Sequence, residues 1–166
     1  MPDERPNAAT RLPESSELTA LFDRAENRHL YRLSYIANAL VLPVYDGIKR
    51  DFGLSRGEYL LLFCLSHMPV LTARDVAEMT KRPRNSISRA VHRMLDEGYI
   101  DRVPDPEDGR QARLSITAKG RALHERIIGR FVDREDEIFG VLDDTEMTAL
   151  DAILQKLARH VAASAA

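Results

Sequence analysis

Residues 72–120 read TARDVAEMTKRPRNSISRAVHRMLDEGYIDRVPDPEDGRQARLSITAKG, and this stretch decides the fold. It divides into a short helix, a tight turn, a second helix with Arg, Asn and Ser on one face, and a hairpin with Asp-Gly-Arg at its tip. A helix–turn–helix followed by a basic hairpin is a set of parts sized for the grooves of duplex DNA. Pro83 suits the first position of the second helix, where its missing N–H costs nothing. Between Arg84 and Glu97, residues Ile87, Val91, Met94 and Leu95 fall on one face and would anchor the helix to a core. The other face carries Arg84, Asn85, Ser86, Ser88 and Arg89 near its start, then His92 and Arg93 a turn later. Arg pairs bidentately with guanine, Asn with adenine, and Ser with bases or phosphate. A helix start also has free N–H groups and a positive dipole end, which favour a nearby phosphate.

Taken alone, that helix could equally present a solvated basic face. The hairpin changes the reading. Gly98 closes the helix, Tyr99–Val103 reads as one strand and Ala112–Ile116 as another. Asp108-Gly109 is a strong turn signal between them. A wing entering a minor groove needs a cation at its tip, and Arg110 stands there with Asp108 close enough to orient its guanidinium. Asp105, Glu107 and Asp108 read as turn formers, because no oxygen-ligand loop pattern surrounds them.

Charge is parcelled to match. The chain of 166 residues has a net charge of −2, but residues 72–121 carry 11 basic against 8 acidic residues. Residues 1–71 come to −1 and residues 122–166 to −4, so positive charge sits where phosphates would be met. Hydrophobic content of 44% and charged content of 30% are ordinary for a soluble globular protein, and no apolar run approaches the roughly 18 residues of a membrane span. One cysteine excludes an internal disulfide framework, and the polar, Pro-containing start is neither signal nor transit peptide, so a cytoplasmic protein is expected.

Outward from the centre, helix starts announce themselves. Ser55 with Glu58, and Thr72 with Asp75, have capping-box spacing, and Leu54 with Tyr59 can staple the first of these. The helix over 55–67 is apolar nearly all round and reads as buried. Thr117 caps a helix over about 118–141, and Asp143 or Asp144 one over about 145–162. In that last helix Met147, Leu150, Leu154, Leu157 and Val161 form a stripe, with Ile153 beside it, which we read as packing on a second subunit rather than on this chain's own first helix. The first long helical pattern spans 17–52, with a kink or break expected at Pro43 and Gly53 at its end. The expected layout is a mobile arm over 1–16, an N-terminal helix over 17–52 for dimerisation and a potential effector pocket, a DNA-binding lobe over 53–117, and C-terminal dimerisation helices over 118–166. The fold class is mainly α with a small β-hairpin wing: a winged helix–turn–helix lobe plus a helical dimerisation region.

The order DVAEMTKRPRNSISRAVHRMLDEGYIDRVPDPEDGRQARLSIT followed by AKGRAL resembles the MarR family of bacterial winged-helix regulators. Its most specific part is Asp108-x-Arg110 followed by Leu114-Ser115-Ile116-Thr117 and Lys119-Gly120, and the resemblance covers roughly residues 29–160. It implies a pyramid-shaped homodimer, joined through its terminal helices, that binds double-stranded DNA at a pseudo-palindromic operator with half-sites about one turn, ~10 bp, apart. It also implies that Arg84, Asn85, Ser86, Ser88 and Arg89 are recognition-helix positions and that Asp108 and Arg110 are the wing-tip pair. The chain departs from the pattern in its longer N-terminal arm and in Pro43.

Members of that family respond to small aromatic or phenolic acids or to cysteine oxidation, so a repressor released by such an effector is expected. The oxidised cysteine usually lies near the start of the first long helix, and none is there; Cys64 reads as a small core hydrophobe. For an effector, His29, Arg32 and Tyr35 on the first helix and His67 at the end of the second are the candidate pocket residues, with Arg32 or His29 to hold a carboxylate. The alternative is that they are exposed helix residues or intra-chain pairs, in a DNA-binding regulator with no small-molecule effector. The five histidines show no ligand spacing, so no metal or cofactor is expected. No phosphate loop, G-x-S-x-G or H-E-x-x-H appears, which argues against an enzyme. A winged helix used only for protein interaction would not need Arg89 and Arg110 together, which disfavours that alternative.

Overall fold

The computed structural model describes residues 15–106 and 112–164. In chain order the elements are α1 (Ser15–Arg24), α2 (Arg28–Phe52), α3 (Arg56–His67), α4 (Ala73–Thr80), α5 (Arg84–Asp96), β1 (Ile100–Pro104), β2 (Ala112–Ile116), α6 (Ala118–Phe139) and α7 (Asp144–Ala163). The chain divides into two compact units, residues 1–39 and 40–166, with α2 contributing to both.

Local chemistry explains most boundaries. Ser55 accepts from the Glu58 N–H while Glu58 accepts from the Ser55 N–H; Thr72 with Asp75 and Asp143 with Glu146 repeat this reciprocal cap. Thr117 caps α6 by accepting from the Gly120 N–H at 3.0 Å. At the end of α5, Gly98 takes φ +68, its N–H reaches Leu95 O, and the Tyr99 N–H reaches Met94 O, the double bond of a Schellman stop. The N–H of Tyr99 is thereby spent on the helix, so β1 begins at Ile100, one residue later than the sequence pattern predicts, and continues through Pro104. The two strands pair antiparallel from Ile100↔Ile116 to Pro104↔Ala112, and Leu71 bridges to Leu114 from outside.

Two further expectations needed correction. Helix α2 runs through Pro43 without a break: Pro43 is exposed, while Val44 and Ile48 in the following turn are buried in the core. Their packing holds the turn against the missing hydrogen bond. The interruption falls instead at Ala25–Asn27, where Asn27, a residue type suited to helix starts, accepts at its carbonyl from the Leu30 and Tyr31 N–H groups. Pro83 lies one residue before the first helical position of α5, with ψ 135, and its carbonyl accepts from Ser86 and Ile87. The expected N-terminal arm lies outside the described residues except for Ser15 and Ser16, which open α1.

The core belongs to the second unit. Tyr59, Leu61, Leu62 and Leu65 of α3 sit at its centre, joined by Val44 and Ile48 of α2, Val76 of α4, Ile87, Val91 and Met94 of α5, Ile100 and Leu114 of the strands, and Leu123 and Ile127 of α6. The hairpin meets α6 at Gly120, where an added Cβ would stand 2.1 Å from Tyr99 O and 2.9 Å from the Ile116 side chain. Because backbone cannot yield as a side-chain tip can, Gly120→Ala should cost about 2–3 kcal/mol. A chemical-denaturation midpoint measures this, and an unchanged midpoint would contradict the packing described.

Candidate nucleic-acid interface

Helix α5 turns a buried stripe to the core, made by Ile87, Ala90, Val91 and Met94, with Leu95 half-buried. The stripe fixes the rotation of the helix, and rotation decides what faces out. Arg84, Asn85, Ser88, Arg89 and His92 are exposed. Ser86 is turned partly inward, where its hydroxyl would be 3.4 Å from a Cβ on Gly57, so the start of α5 packs against the start of α3.

Arg93 has a different role from its neighbours. Its Nη1 donates to both oxygens of Glu58, at 3.0 and 3.2 Å, and to Gly53 O at 2.9 Å. Glu58 is 6% exposed and also accepts from the Ser55 N–H at 2.7 Å. One carboxylate therefore caps α3 and clamps α5. The helix–turn–helix corner between α4 and α5 is made by Lys81, whose φ of 51 puts a non-glycine residue in the left-handed region.

Beside α5 lies a cleft of about 280 Å³ lined by Thr72 and Arg74 at the start of α4, Ser88 and His92 of α5, and Arg102 and Ala112 of the strands. Arg74 and Arg102 are exposed there, so exposed basic side chains extend from α5 to α4 and the hairpin. The sequence reading missed both. A lone Arg in a first helical turn or a strand carries no pattern, and only the fold brings them beside Ser88. At the hairpin, Arg113 makes a two-point contact with Asp105, at 2.8 and 3.3 Å, so Asp105 pins the outer part of the wing as well as turning it. Asp108 and Arg110, the expected wing-tip pair, lie outside the described residues.

The expected effector residues divide between the two units. In the first, Arg32 and Tyr35 line a groove of about 400 Å³ with Phe22, Asp23 and Ile36. Arg32 is ion-paired with Asp23, and Phe22 stacks near Tyr31 and Tyr35, at 6.4 and 5.5 Å between ring centres. His29 is exposed and is not among that lining. His67 belongs to the second unit, where its Nδ1–H donates to Phe63 O at 2.9 Å. Cys64 is buried, and burial pushes its thiol up, away from the thiolate form. Among the described residues no helix is long and apolar enough to cross a membrane.

Comparison with known proteins follows this geometry. A model of the MarR family matches residues 52–111. The chain is 30% identical to the uncharacterized HTH-type transcriptional regulator YxaD of Bacillus subtilis over 120 residues, covering 66% of this chain and 82% of YxaD. It is similar to a solved structure of the transcriptional regulator SlyA with a TM-score of 0.71 and 25% identity, covering 81% of this chain and 94% of that one. Bordetella bronchiseptica BpsR, whose DNA binding is regulated by 6-hydroxynicotinic acid, shares the fold with a TM-score of 0.63 at 22% identity, covering 78% and 96%.

The clamp on α5 is directly testable. Glu58→Ala removes a cap and leaves Arg93 without its carboxylate, and after discounting for the partial exposure of Arg93 it should cost about 2 kcal/mol. Glu58→Gln keeps the cap acceptor and should cost less. Equal losses in urea unfolding would show that the charge facing Arg93 accounts for the whole effect and would contradict a contribution from the cap.

Proposed function

The chain belongs to the MarR family of transcriptional regulators, and we propose that it acts as a homodimeric repressor that holds a pseudo-palindromic operator and releases it when a small aromatic or phenolic acid binds. Its relatives are DNA-binding regulators rather than enzymes. The observation that carries the reading is the start of α5: four exposed side chains of base-reading chemistry, Arg84, Asn85, Ser88 and Arg89, on a helix held by a buried apolar stripe. Ser86, half-buried beside Gly57, contributes to the backbone side of that contact. Asp108 and Arg110 form the wing tip in this reading, with Arg110 entering the minor groove.

Helix α7 supports the dimer. None of its residues is buried, and Met147, Ile153, Leu154, Leu157 and Val161 are exposed apolar side chains along it. Covering a Leu-sized side chain is worth roughly 1.5–3 kcal/mol, so a second copy packing on this stripe gains far more than a surface contact would. Homodimers also match the two-fold symmetry of a palindromic site.

For release, the groove holding Arg32 and Tyr35 has the aromatic lining and single guanidinium that suit a small aromatic acid. The acid would compete with Asp23 for Arg32, and His29 stands on the same helix one turn earlier. His67 lies in the second unit and is kept as a secondary candidate only. The regulation of BpsR by 6-hydroxynicotinic acid supports an effector of this class.

Two outcomes test the reading. In DNA shift assays, Arg110→Ala should weaken binding to all sequences and lower the salt dependence by about one ion, whereas Arg84→Ala or Asn85→Ala should change preference among sequences. Undiminished binding in both Arg89→Ala and Arg110→Ala would leave a protein-interaction module as the better reading. Light scattering at micromolar concentration should give twice the chain mass of 18.8 kDa; a stable monomer would contradict the dimer.

A further inference from the structure

One buried polar group of the second unit stands apart from the DNA-binding face. His124 of α6 is 7% exposed, and α3 closes around it. Its Nε2 lies 3.2 Å from Ser66 Oγ and its Nδ1 3.5 Å from the Tyr59 hydroxyl. The His67 ring meets it edge-on at 6.0 Å between centres, and the Tyr59 ring stacks on it at 5.9 Å.

Hydrogen-bond roles then follow. Phe63 O can only accept, and Ser66 Oγ at 2.7 Å gives it the one hydroxyl hydrogen. The Ser66 oxygen is left as an acceptor, so His124 Nε2 carries a hydrogen and donates it there. In the neutral ring Nδ1 is then bare and accepts from the Tyr59 O–H. Every polar atom is matched in this state, and none has capacity for another proton.

We propose that this cluster is a proton-sensitive joint, in which uptake of a proton by His124 loosens α3 from α6 and lowers the affinity of the recognition helix for DNA. The new N–H at Nδ1 would face the Tyr59 hydroxyl, whose hydrogen must then turn away from it. The charge itself would be desolvated. Among the groups acting on it, His67 of α3 and Arg121 of α6 repel it and only Glu125 of α6 favours it. Helix α3 is also the seat of α5 through Glu58–Arg93 and Gly57–Ser86, so a displaced α3 moves the reading face.

Burial and His67 hold His124 below the usual histidine range. The stability due to the neutral ring is therefore complete above about pH 6.5 and lost as pH falls through the lowered folded value. The inference about affinity rests on the DNA-binding reading, and the test separates the two. Binding of a DNA fragment selected by the full-length protein is measured from pH 7.5 to 5.5 at fixed ionic strength. A His92→Gln background is used, because a proton on exposed His92 of α5 would strengthen DNA binding. Affinity should fall severalfold in that background, short of the roughly tenfold an unshifted histidine would give over this range. With His124→Gln added it should stay within about twofold, and with His67→Gln the loss should begin at higher pH. The same pH dependence with and without His124→Gln would overturn the joint. Should His124→Gln not fold, an unmoved midpoint in His67→Gln would overturn it instead. If no DNA is bound at any pH the DNA-binding reading fails, and melting temperatures of the same variants across this pH range still decide the joint: a drop that His124→Gln does not reduce contradicts it.

Discussion

A single buried carboxylate, Glu58, holds the start of α3 and the middle of α5 together, and the placement of the exposed face of α5 depends on it. Its oxygens accept from the Ser55 N–H and from Arg93, which also reaches Gly53 O at the end of α2. Three segments thus meet at one group. Gly57 next to it faces Ser86 and Ala90 of α5, where an added Cβ would stand 3.4 and 3.8 Å from their side chains. Arg84, Asn85, Ser88 and Arg89 can serve a groove only because the helix beneath them has one rotation and one depth. The basic residue Arg93, which looks from the sequence like part of the reading face, is committed to that seat.

Helix starts and stops were legible because they are local chemistry. Ser55, Thr72, Thr117 and Asp143 cap where their spacing predicts, and Gly98 stops α5. Burial of Ile87, Val91 and Met94 followed from helical periodicity for the same reason. The misplacements also have physical causes. Pro43 is a strong local breaker that was overruled by the packing of Val44 and Ile48, and Asn27 was a weaker local signal that prevailed. What no local pattern shows is pairing across distance. Arg93 and Glu58 are 35 residues apart and Ser66 and His124 are 58, so neither the clamp nor the histidine cluster could be read in advance.

The division of the chain into units gives the proposed regulation its shape. The first unit, with Phe22, Arg32 and Tyr35, carries the aromatic groove, and the second carries the reading helix, the hairpin and the histidine cluster. The exposed stripe on α7 supplies the surface for a second copy in the proposed dimer. Positive charge on α5, joined by Arg74 and Arg102 beside it, with acidic residues gathered towards the C-terminus, keeps the attraction for phosphate on one part of the chain.

Guanine methylation protection on a selected DNA fragment tests the central claim most directly, since guanine N7 lies in the major groove where α5 is placed to read. Protection should appear in two major-groove segments about 10 bp apart on one face of the duplex, and Arg84→Ala should remove it at defined guanines in each. A complex that protects no guanine N7, or one whose protection is unchanged by alterations along the exposed face of α5, would contradict the account.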